Sequence, residues 1–536
     1  MVHHRNRQPQ ANFNGQFRSN PLIFAPMSSI KGLAGQTMWY GASSIFARLL
    51  NYALTPYLLL KLSGSEYGQQ STVYAAIPFL NVIFTYGLET AFFRYAQKHD
   101  KPNEIYNTLM VSIIGSTVTL GGLMLAFIHP IAHLLRVEDH PEIIRWSTFI
   151  IALDTLTTLP FAKLRLDSRP IKYSFIRISG ILCNIGVLYF FYSVCPSLEA
   201  KGGVSPLLIF YSTHVGLGYI FIANLCQSLL AFLLLIPELS RFRPRFNGTL
   251  WMDIMIYSLP ITIAGFGGMI NETFDRIMLG WWVHAPTEKA AEFQVGIYSA
   301  NYKLSLLITL FIQAFRLGAE PFFFKQAQGE NPGRVYARVM KFFVITITLM
   351  FLFVALYVDI WKLFITNHAM WVGLKVVPIL LFANMFLGIY YNLSIWYKLS
   401  NRTIAGAYIT LIGAGVTLVI NYTFIPYFGY MACAWATCIC YGTMMVLSFV
   451  WGQKAYPVPY AWKKLVAYMV IVLLCYFVHE GITHFLPGRW INLLSATALF
   501  AGYFAFIARV EKKEFQRIPL VRSLPFVKGR VAASNH

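Results

Sequence analysis

Gly87-Leu-Glu89-Thr-Ala-Phe92-Phe93-Arg94-Tyr-Ala96-Gln97 and Gly318-Ala-Glu320-Pro-Phe-Phe323-Phe324-Lys325-Gln-Ala327-Gln328 are two copies of one pattern, G-x-E-x-x-F-F-[RK]-x-A-Q. Pro102 and Tyr106 after the first copy are answered by Pro332 and Tyr336 after the second, with a one-residue shift. Such a repeat sets the architecture before any motif is weighed. Six long apolar stretches separate the copies. An even number of membrane crossings returns the second copy to the same face, so the repeat is parallel, about an axis along the membrane normal.

Composition places the chain in the bilayer. Hydrophobic residues make up 57% of it and charged residues 12%, about half the charged share of a soluble domain. A run of about 20 apolar residues spans the hydrocarbon core as a helix. Such runs lie near 35–60, 70–94, 106–128, 143–163, 172–193, 207–235, 252–280, 293–316, 341–361, 371–396, 403–426, 428–450, 463–483 and 489–508. The short alternating segments of a β-barrel do not occur. The expected fold is all-α integral membrane, with about fourteen transmembrane helices. Residues 31–240 form an N-terminal six-helix lobe, 241–450 a C-terminal one, and 451–508 hold helices 13 and 14. Residues 1–30 read as a disordered cytoplasmic tail without the apolar core of a signal peptide, and 509–536 as a basic cytoplasmic tail. The start, Met1 or Met27, stays open.

A net charge of +21 invites a nucleic-acid reading, but the positions of the cations oppose it. With the N-terminus inside, thirty of the 43 Lys and Arg fall in inner loops and tails and eight in outer loops. That is the positive-inside bias, and it puts both termini in the cytoplasm. Seven cysteines show no disulfide framework; Cys433, Cys438 and Cys440 sit in an apolar run, where a closed polar zinc shell is not expected. No metal site is expected.

Five cations remain inside the membrane: Arg48, Arg177, Arg276, Lys303 and Arg316. A charge at this depth costs about 2.5–3.5 kcal/mol on insertion scales, so it usually faces a wet cavity. Arg48 and Lys303 lie deep in opposite lobes, with no carboxylate of comparable depth nearby in sequence. Surplus positive charge suits an anion, above all a phosphate or diphosphate. Arg48, Lys303 and Arg316 are therefore the candidate substrate-binding residues. The acids met are Asp154, Asp253, Asp275, Glu89 and Glu320. Glu89 and Glu320, at the inner ends of helices 2 and 8, are read as an inner gate. Glu89 and Arg94 are about 140° apart around a helix and do not pair, whereas Arg316 and Glu320, four apart, can touch. Asp275 and Arg276 are adjacent, point to different helix sides, and are read as an outer gate anchored to separate neighbours. Pro260, followed by Gly265, Gly267 and Gly268, is the candidate hinge; Pro78 and Pro378 also break helices. Tyr52, Tyr57, Tyr74, Tyr298 and Tyr302 are candidate aromatic contacts for a substrate, set against interfacial packing, the commoner role of membrane tyrosines.

From about Met27 onward the chain resembles the Wzx-type polysaccharide flippases of the multidrug/oligosaccharidyl-lipid/polysaccharide (MOP) transporter superfamily. The resemblance rests on Ser65-Glu66-Tyr67-Gly68, Tyr86-Gly87-Leu88-Glu89 with Arg94, Asp275-Arg276, Gly296-Ile-Tyr298-Ser299-Ala300-Asn-Tyr302-Lys303, and Phe315-Arg316 through Pro321. It implies two lobes about a central cavity lined by helices 1, 2, 7 and 8. It also implies flipping of an undecaprenyl-diphosphate-linked oligosaccharide to the periplasmic leaflet of the bacterial inner membrane, for polysaccharides such as O-antigen, capsule or exopolysaccharide. The full cavity arginine set of the related lipid II flippases is not evident, which argues against lipid II. The expected partners are the lipid-linked oligosaccharide, the bilayer and polysaccharide polymerase machinery, not nucleic acid. No cofactor is expected, and the coupling ion, H+ or Na+, stays open.

The chain is not expected to be an enzyme. The alternatives are a membrane glycosyltransferase or polymerase and a drug or ion antiporter. The first needs acid/base residues in a sizeable outer loop, and His129, His133, Glu138, Asp139 and His140 form the only candidate. The second carries an acid in helix 1, where this chain has Arg48.

Overall fold

The structure, a computed structural model, describes residues 27–98, 101–201, 206–327, 329–400 and 402–515. Most of the two expected tails, residues 1–26 and 516–536, lies outside them. Among the described residues all regular structure is helical, and each of the fourteen expected stretches falls on a helix. The long elements begin with α1 (Met27–Lys61), α2 (Gly64–Thr85), α3 (Leu88–Lys98), α4 (Pro102–Ala126), α5 (Glu142–Leu166), α6 (Pro170–Tyr189) and α7 (Gly218–Leu234). They continue with α8 (Gly248–Glu272), α9 (Phe274–Trp282), α10 (Glu288–Gln326), α11 (Pro332–Ala355), α12 (Val376–Leu393), α13 (Thr403–Phe428), α14 (Tyr430–Ala455), α15 (Trp462–Phe485) and α16 (Arg489–Val510). Ten helical spans among the described residues are long and apolar enough to cross a membrane, and the bent pair α2–α3 makes an eleventh.

Local chemistry sets the helix starts. Pro102 and Pro332 each open their helix at its first position, where the missing N–H costs nothing. Ser63 caps α2 in a full capping box: its hydroxyl accepts from the Glu66 N–H, and Glu66 accepts from the Ser63 N–H at 2.8 Å. Asn247 caps α8 and Thr287 caps α10 more simply, each side-chain oxygen accepting one N–H, from Leu250 and Ala290, without a returning bond. Pro378 lies in the first turn of α12, not in its interior.

The helices pack in two groups. α6 lies against α1 and α7, and α5 against α4 and α7; in the second half α12 and α13 pack on α14, and α8 on α13. α15 and α16 lean on α11. The repeat recurs in packing. Phe92 meets Tyr106 edge-on at 6.2 Å, and its counterpart Phe323 meets Tyr336 edge-on at 5.3 Å. Both tyrosines are fully buried. Apolar side chains such as Phe485, Trp490 and Ile171 are largely exposed, as expected of helix faces that meet lipid tails.

The two copies of the opening motif nevertheless differ. Helix 2, expected unbroken over 70–94, stops at Tyr86 and Gly87, both at positive φ (31° and 75°), and α3 leaves at a 40° bend. Gly318 sits inside the unbroken α10. The break has a physical reason: a Cβ on Gly87 would lie 3.2 Å from the Ser258 carbonyl of α8, and a glycine accepts both that approach and the left-handed backbone. Helix 7 is interrupted too, at Thr273 between α8 and α9, while α8 runs unbroken through Pro260.

Candidate functional site

α1, α8, α10, α12, α13 and α14 enclose a cavity of about 870 Å³. Its wall carries Arg48 and Tyr52 from α1, Asn271 and Glu272 from α8, and Tyr302, Lys303, Arg316 and Glu320 from α10. Tyr302 to Glu320 spans about 27 Å of helix at 1.5 Å per residue, so the cavity is a long shaft along α10. Arg48 and Arg316 are exposed to it and Lys303 is half-buried. The structure thus brings Arg48, Lys303 and Arg316 to one space.

Two expectations need correction here. α2 contributes no residue to this wall among the described residues; α12, α13 and α14 do, because helix 2 is turned against α10 instead. The deep cations also have an acid nearby. Glu272 lies just before the break in helix 7 and faces the cavity, where an uninterrupted reading of that helix overlooked it. Arg48, Lys303 and Arg316 against Glu272 and Glu320 still leave a positive surplus. The Tyr52 hydroxyl and the Asn384 side-chain carbonyl are buried in this wall with no hydrogen-bond partner among the described residues. Groups of that kind are normally satisfied, and a polar guest would satisfy them.

Of the five candidate tyrosines, Tyr52 and Tyr302 line the cavity. Tyr57 bonds to Ser193 at 2.7 Å, Tyr74 accepts from Asn224 at 3.2 Å, and Tyr298 donates to Asp275 at 2.6 Å. Tyr390, Tyr391 and Tyr441 also face the cavity; nothing in an all-apolar run distinguished them.

Asp275 and Arg276 pair with each other, contrary to the expectation of separate anchors. The Arg276 guanidinium lies 3.1 Å from the Asp275 carboxylate, 2.9 Å from the Glu272 carbonyl, and 4.4 Å from the centre of the Tyr302 ring. The helix restarts at Phe274, so Asp275 is in a first turn, where its carboxylate also accepts from the Arg276 N–H at 2.9 Å. Adjacent residues on an ideal helix do not meet this way.

On the side of the outer loops, as assigned by the cation bias, α2 and α10 cross in near backbone contact. A Cβ on Gly68 would lie 2.7 Å from the Glu292 carbonyl carbon and closer still to its oxygen, and one on Gly296 would strike the Gly64 carbonyl. The Glu292 carboxylate accepts from the Ser65 hydroxyl and, at 2.8 Å, from the Gln69 amide. Arg136 donates to the Trp281 carbonyl at 3.3 Å, and the Trp281 indole to the Leu134 carbonyl at 2.7 Å. This seam closes the two helix groups on that side. It explains Ser65-Glu66-Tyr67-Gly68 residue by residue: bond, cap, buried ring, close approach. Glu292 was missed in the sequence because its partners lie over 200 residues away.

The paired acids at the opposite side stay within their own groups. Glu89 pairs with Arg165 of α5 and not with Arg94, whose guanidinium lies 4.1 Å over the Tyr257 ring of α8. Glu320 pairs with Lys398 and lies 3.9 Å from Arg316. Arg177 lines a second, smaller cavity of about 310 Å³ with Asp154, Glu89 and Arg165. In the outer loop His133 meets Glu138, and His140 lies 3.1 Å from Glu142. Among the described residues no three His, Cys, Asp or Glu gather in a way that could hold a metal.

Comparison with known proteins follows the same lines. The family model described as "polysaccharide biosynthesis protein" matches residues 203–325, which hold α7, α8, α9 and most of α10. A structure of the lipid II flippase MurJ in an inward closed conformation is similar with a TM-score of 0.63 at 14% identity, covering 88% of this chain and 99% of that one. An inward-facing multidrug resistance MATE transporter of the MOP superfamily gives 0.58 at 14% identity, over 79% of this chain and 95% of that one. An outward-facing MATE transporter gives 0.53 at 13% identity, over 82% and 96%. No curated protein sequence matches. The fold is therefore shared with these transporters. The family match over residues 203–325 agrees with the polysaccharide-related resemblance read from the sequence.

Proposed function

We propose that this chain is a lipid-linked oligosaccharide flippase. It moves a polyprenyl-diphosphate-linked glycan from the cytoplasmic to the periplasmic leaflet of a bacterial inner membrane, with both termini cytoplasmic. The observation that carries the reading is the shaft along α10, with Arg48, Lys303 and Arg316 on its wall and its outer side sealed. Arg48 offers a planar fork that a diphosphate meets bidentately, and Lys303 a point charge beside it. The tyrosines and orphaned polar groups of the same wall suit a sugar. Residues 31–240 and 241–450 act as two lobes. Separation of α2 from α10 opens the outer side, while Glu89 and Glu320 exchange their present partners for ones across the opposite side. Pro260 and the break at Thr273 let helix 7 bend during that exchange.

The reading is tested by export of the surface glycan in cells that depend on this chain. Arg48→Ala and Lys303→Ala each block export while the protein still inserts, and Arg48→Lys loses more than its retained charge suggests, because an ammonium lacks the planar fork. Normal export by the Arg48→Ala, Lys303→Ala double variant ends the diphosphate-site assignment.

A further inference from the structure

The linker between the two helix groups, residues 241–247, closes one side of a second large recess on the inner-loop side. Its other walls are the start of α4, with Lys101, Asn103, Glu104, Asn107 and Thr108, and the end of α5, with Lys163 and Asp167. The recess holds about 1590 Å³, shares no lining residue with the shaft and is unused by the transport reading.

Its charge is strongly one-sided. Arg241, Arg243, Arg245, Lys101 and Lys163 face Glu104 and Asp167. Arg241 ends a turn and Arg243 and Arg245 follow on the non-helical segment 242–247, which folds tightly where the Arg245 N–H donates to the Arg243 carbonyl at 2.7 Å; all three line the same recess. All three are exposed, and none has a carboxylate partner among the described residues. Glu104 is already engaged, by the Asn247 amide at 3.0 Å and by Lys101 at 4.0 Å.

Lys163 is the second, independent sign. It is only 9% exposed, yet its ammonium has no carboxylate within ion-pair distance among the described residues. It finds the Asn103 amide oxygen at 3.5 Å and the Tyr106 ring at 4.5 Å. A lysine is almost never buried unless paired. The Tyr106 hydroxyl is buried with no hydrogen-bond partner among the described residues.

The linker is held in place to form this wall. The Arg243 N–H donates to the Asn107 side-chain carbonyl at 3.0 Å, and the Asn247 N–H to the Thr108 hydroxyl at 3.3 Å. The N-termini of α4 and α8 open into the same recess, and helix N-termini favour anions.

We propose that this recess is a binding site for a phosphate group, held by Arg241, Arg243, Arg245 and Lys163. Its occupancy ties the linker, and so the start of α8, to α4 and α5. The phosphate comes either from the head of an anionic phospholipid in the adjoining leaflet or from a soluble diphosphate. The inference takes the inner-side assignment from the transport reading, but not the transported substrate.

The test uses the full-length protein in nanodiscs of phosphatidylcholine, with and without phosphatidylglycerol, titrated with inorganic pyrophosphate. Bound lipid is counted by native mass spectrometry, and pyrophosphate binding by thermal unfolding. The triple variant Arg241→Gln, Arg243→Gln, Arg245→Gln changes only exposed side chains, and Lys163→Met keeps the buried stem. The expected result is retention of phosphatidylglycerol, or stabilisation by pyrophosphate in phosphatidylcholine alone, weakened roughly tenfold or more in both variants. The first response identifies a lipid source and the second a soluble one. Unchanged binding of both probes by the triple variant, or no binding of either by the parent, overturns the proposal. Export is the control: an export defect in Arg48→Ala with intact phosphate binding leaves this site standing whatever becomes of the transport reading.

Discussion

Gly68→Ala tests the outer seam with one methyl group. The added carbon would sit 2.7 Å from the Glu292 carbonyl carbon and 3.1 Å from the Gly296 nitrogen, where ordinary contact begins at 3.4 Å. Both are backbone atoms and have no rotamer to escape into. α2 and α10 must therefore part by about 0.7 Å or more at the crossing, which also stretches the 2.8 Å bond from Gln69 to Glu292 towards the limit of a hydrogen bond. Overpacking of this kind costs about 1–3 kcal/mol. In the proposed cycle the cost falls on the sealed state alone, since the outward-open state it calls for separates these helices. A bias of that size shifts a two-state population about 5–150-fold. Nitroxide labels at Asp139 and Lys289, exposed in outer segments of the two groups, report it by pulsed electron–electron distance measurement. The parent gives mainly a short distance; Gly68→Ala gives a longer one at its expense. Gly115→Ala is the control, because nothing lies within 4 Å of its added carbon. An unchanged distance distribution in folded Gly68→Ala protein would refute the seam as the element that holds this state.

The acids at the opposite side make a separate test. If Glu89 and Glu320 lock that side when the outer seam opens, Glu89→Gln and Glu320→Gln each raise labelling of an Asn51→Cys reporter from the cytoplasm, in a background with the seven native cysteines replaced, and the double variant raises it further. Lower thermal stability without a change in labelling assigns them instead to the corners where Arg165 and Lys398 hold them. Glu511, beyond the end of α16, reports on how α15 and α16 attach. It is 2% exposed and takes Lys341 at 3.0 Å, Lys464 at 2.5 Å and the Tyr468 hydroxyl at 2.6 Å. Burial alone would raise its pKa; the bonds from Lys464, Tyr468 and Lys341 outweigh it and hold the carboxyl below the ordinary 4.5. A depressed folded pKa contributes stability above pH 4.5 that is lost as pH falls through the folded value. Glu511→Gln thus lowers stability at neutral pH by about 1–3 kcal/mol, and the difference from the parent shrinks at acid pH in thermal unfolding. A constant difference across that range contradicts the assignment.

Hydropathy made the helices legible because each span declares itself locally, over about 20 residues. The repeat made the parallel plan legible for the same reason: Phe92 with Tyr106 and Phe323 with Tyr336 repeat a contact within a few turns. What stayed hidden depends on distant partners or on backbone breaks. Tyr86 at positive φ bends helix 2, and its cause lies in α8, over 170 residues away. The interruption at Thr273 turned Asp275 and Arg276 into a pair and Glu272 into a cavity residue, since an ideal helix had been assumed through all three. Arg48 and Lys303 were recognisable because a charge in an apolar run is costly wherever it lies. Tyr390, Tyr391 and Tyr441 carry no such signal; an uncharged aromatic is equally at home in packing, lipid or cavity.

Transport itself is measured most directly in proteoliposomes that hold the purified chain and a polyprenyl-diphosphate-linked oligosaccharide with a fluorescent sugar. An impermeant quencher added outside reads the leaflet of each label. The account predicts that label moves between leaflets with the parent protein, and that Arg48→Ala, Lys303→Ala protein reconstituted to the same density moves none above empty liposomes. It further predicts that the same oligosaccharide on a neutral lipid, without the diphosphate, is not moved. Equal movement of the diphosphate-linked and neutral forms, or undiminished movement by the double variant, would contradict it.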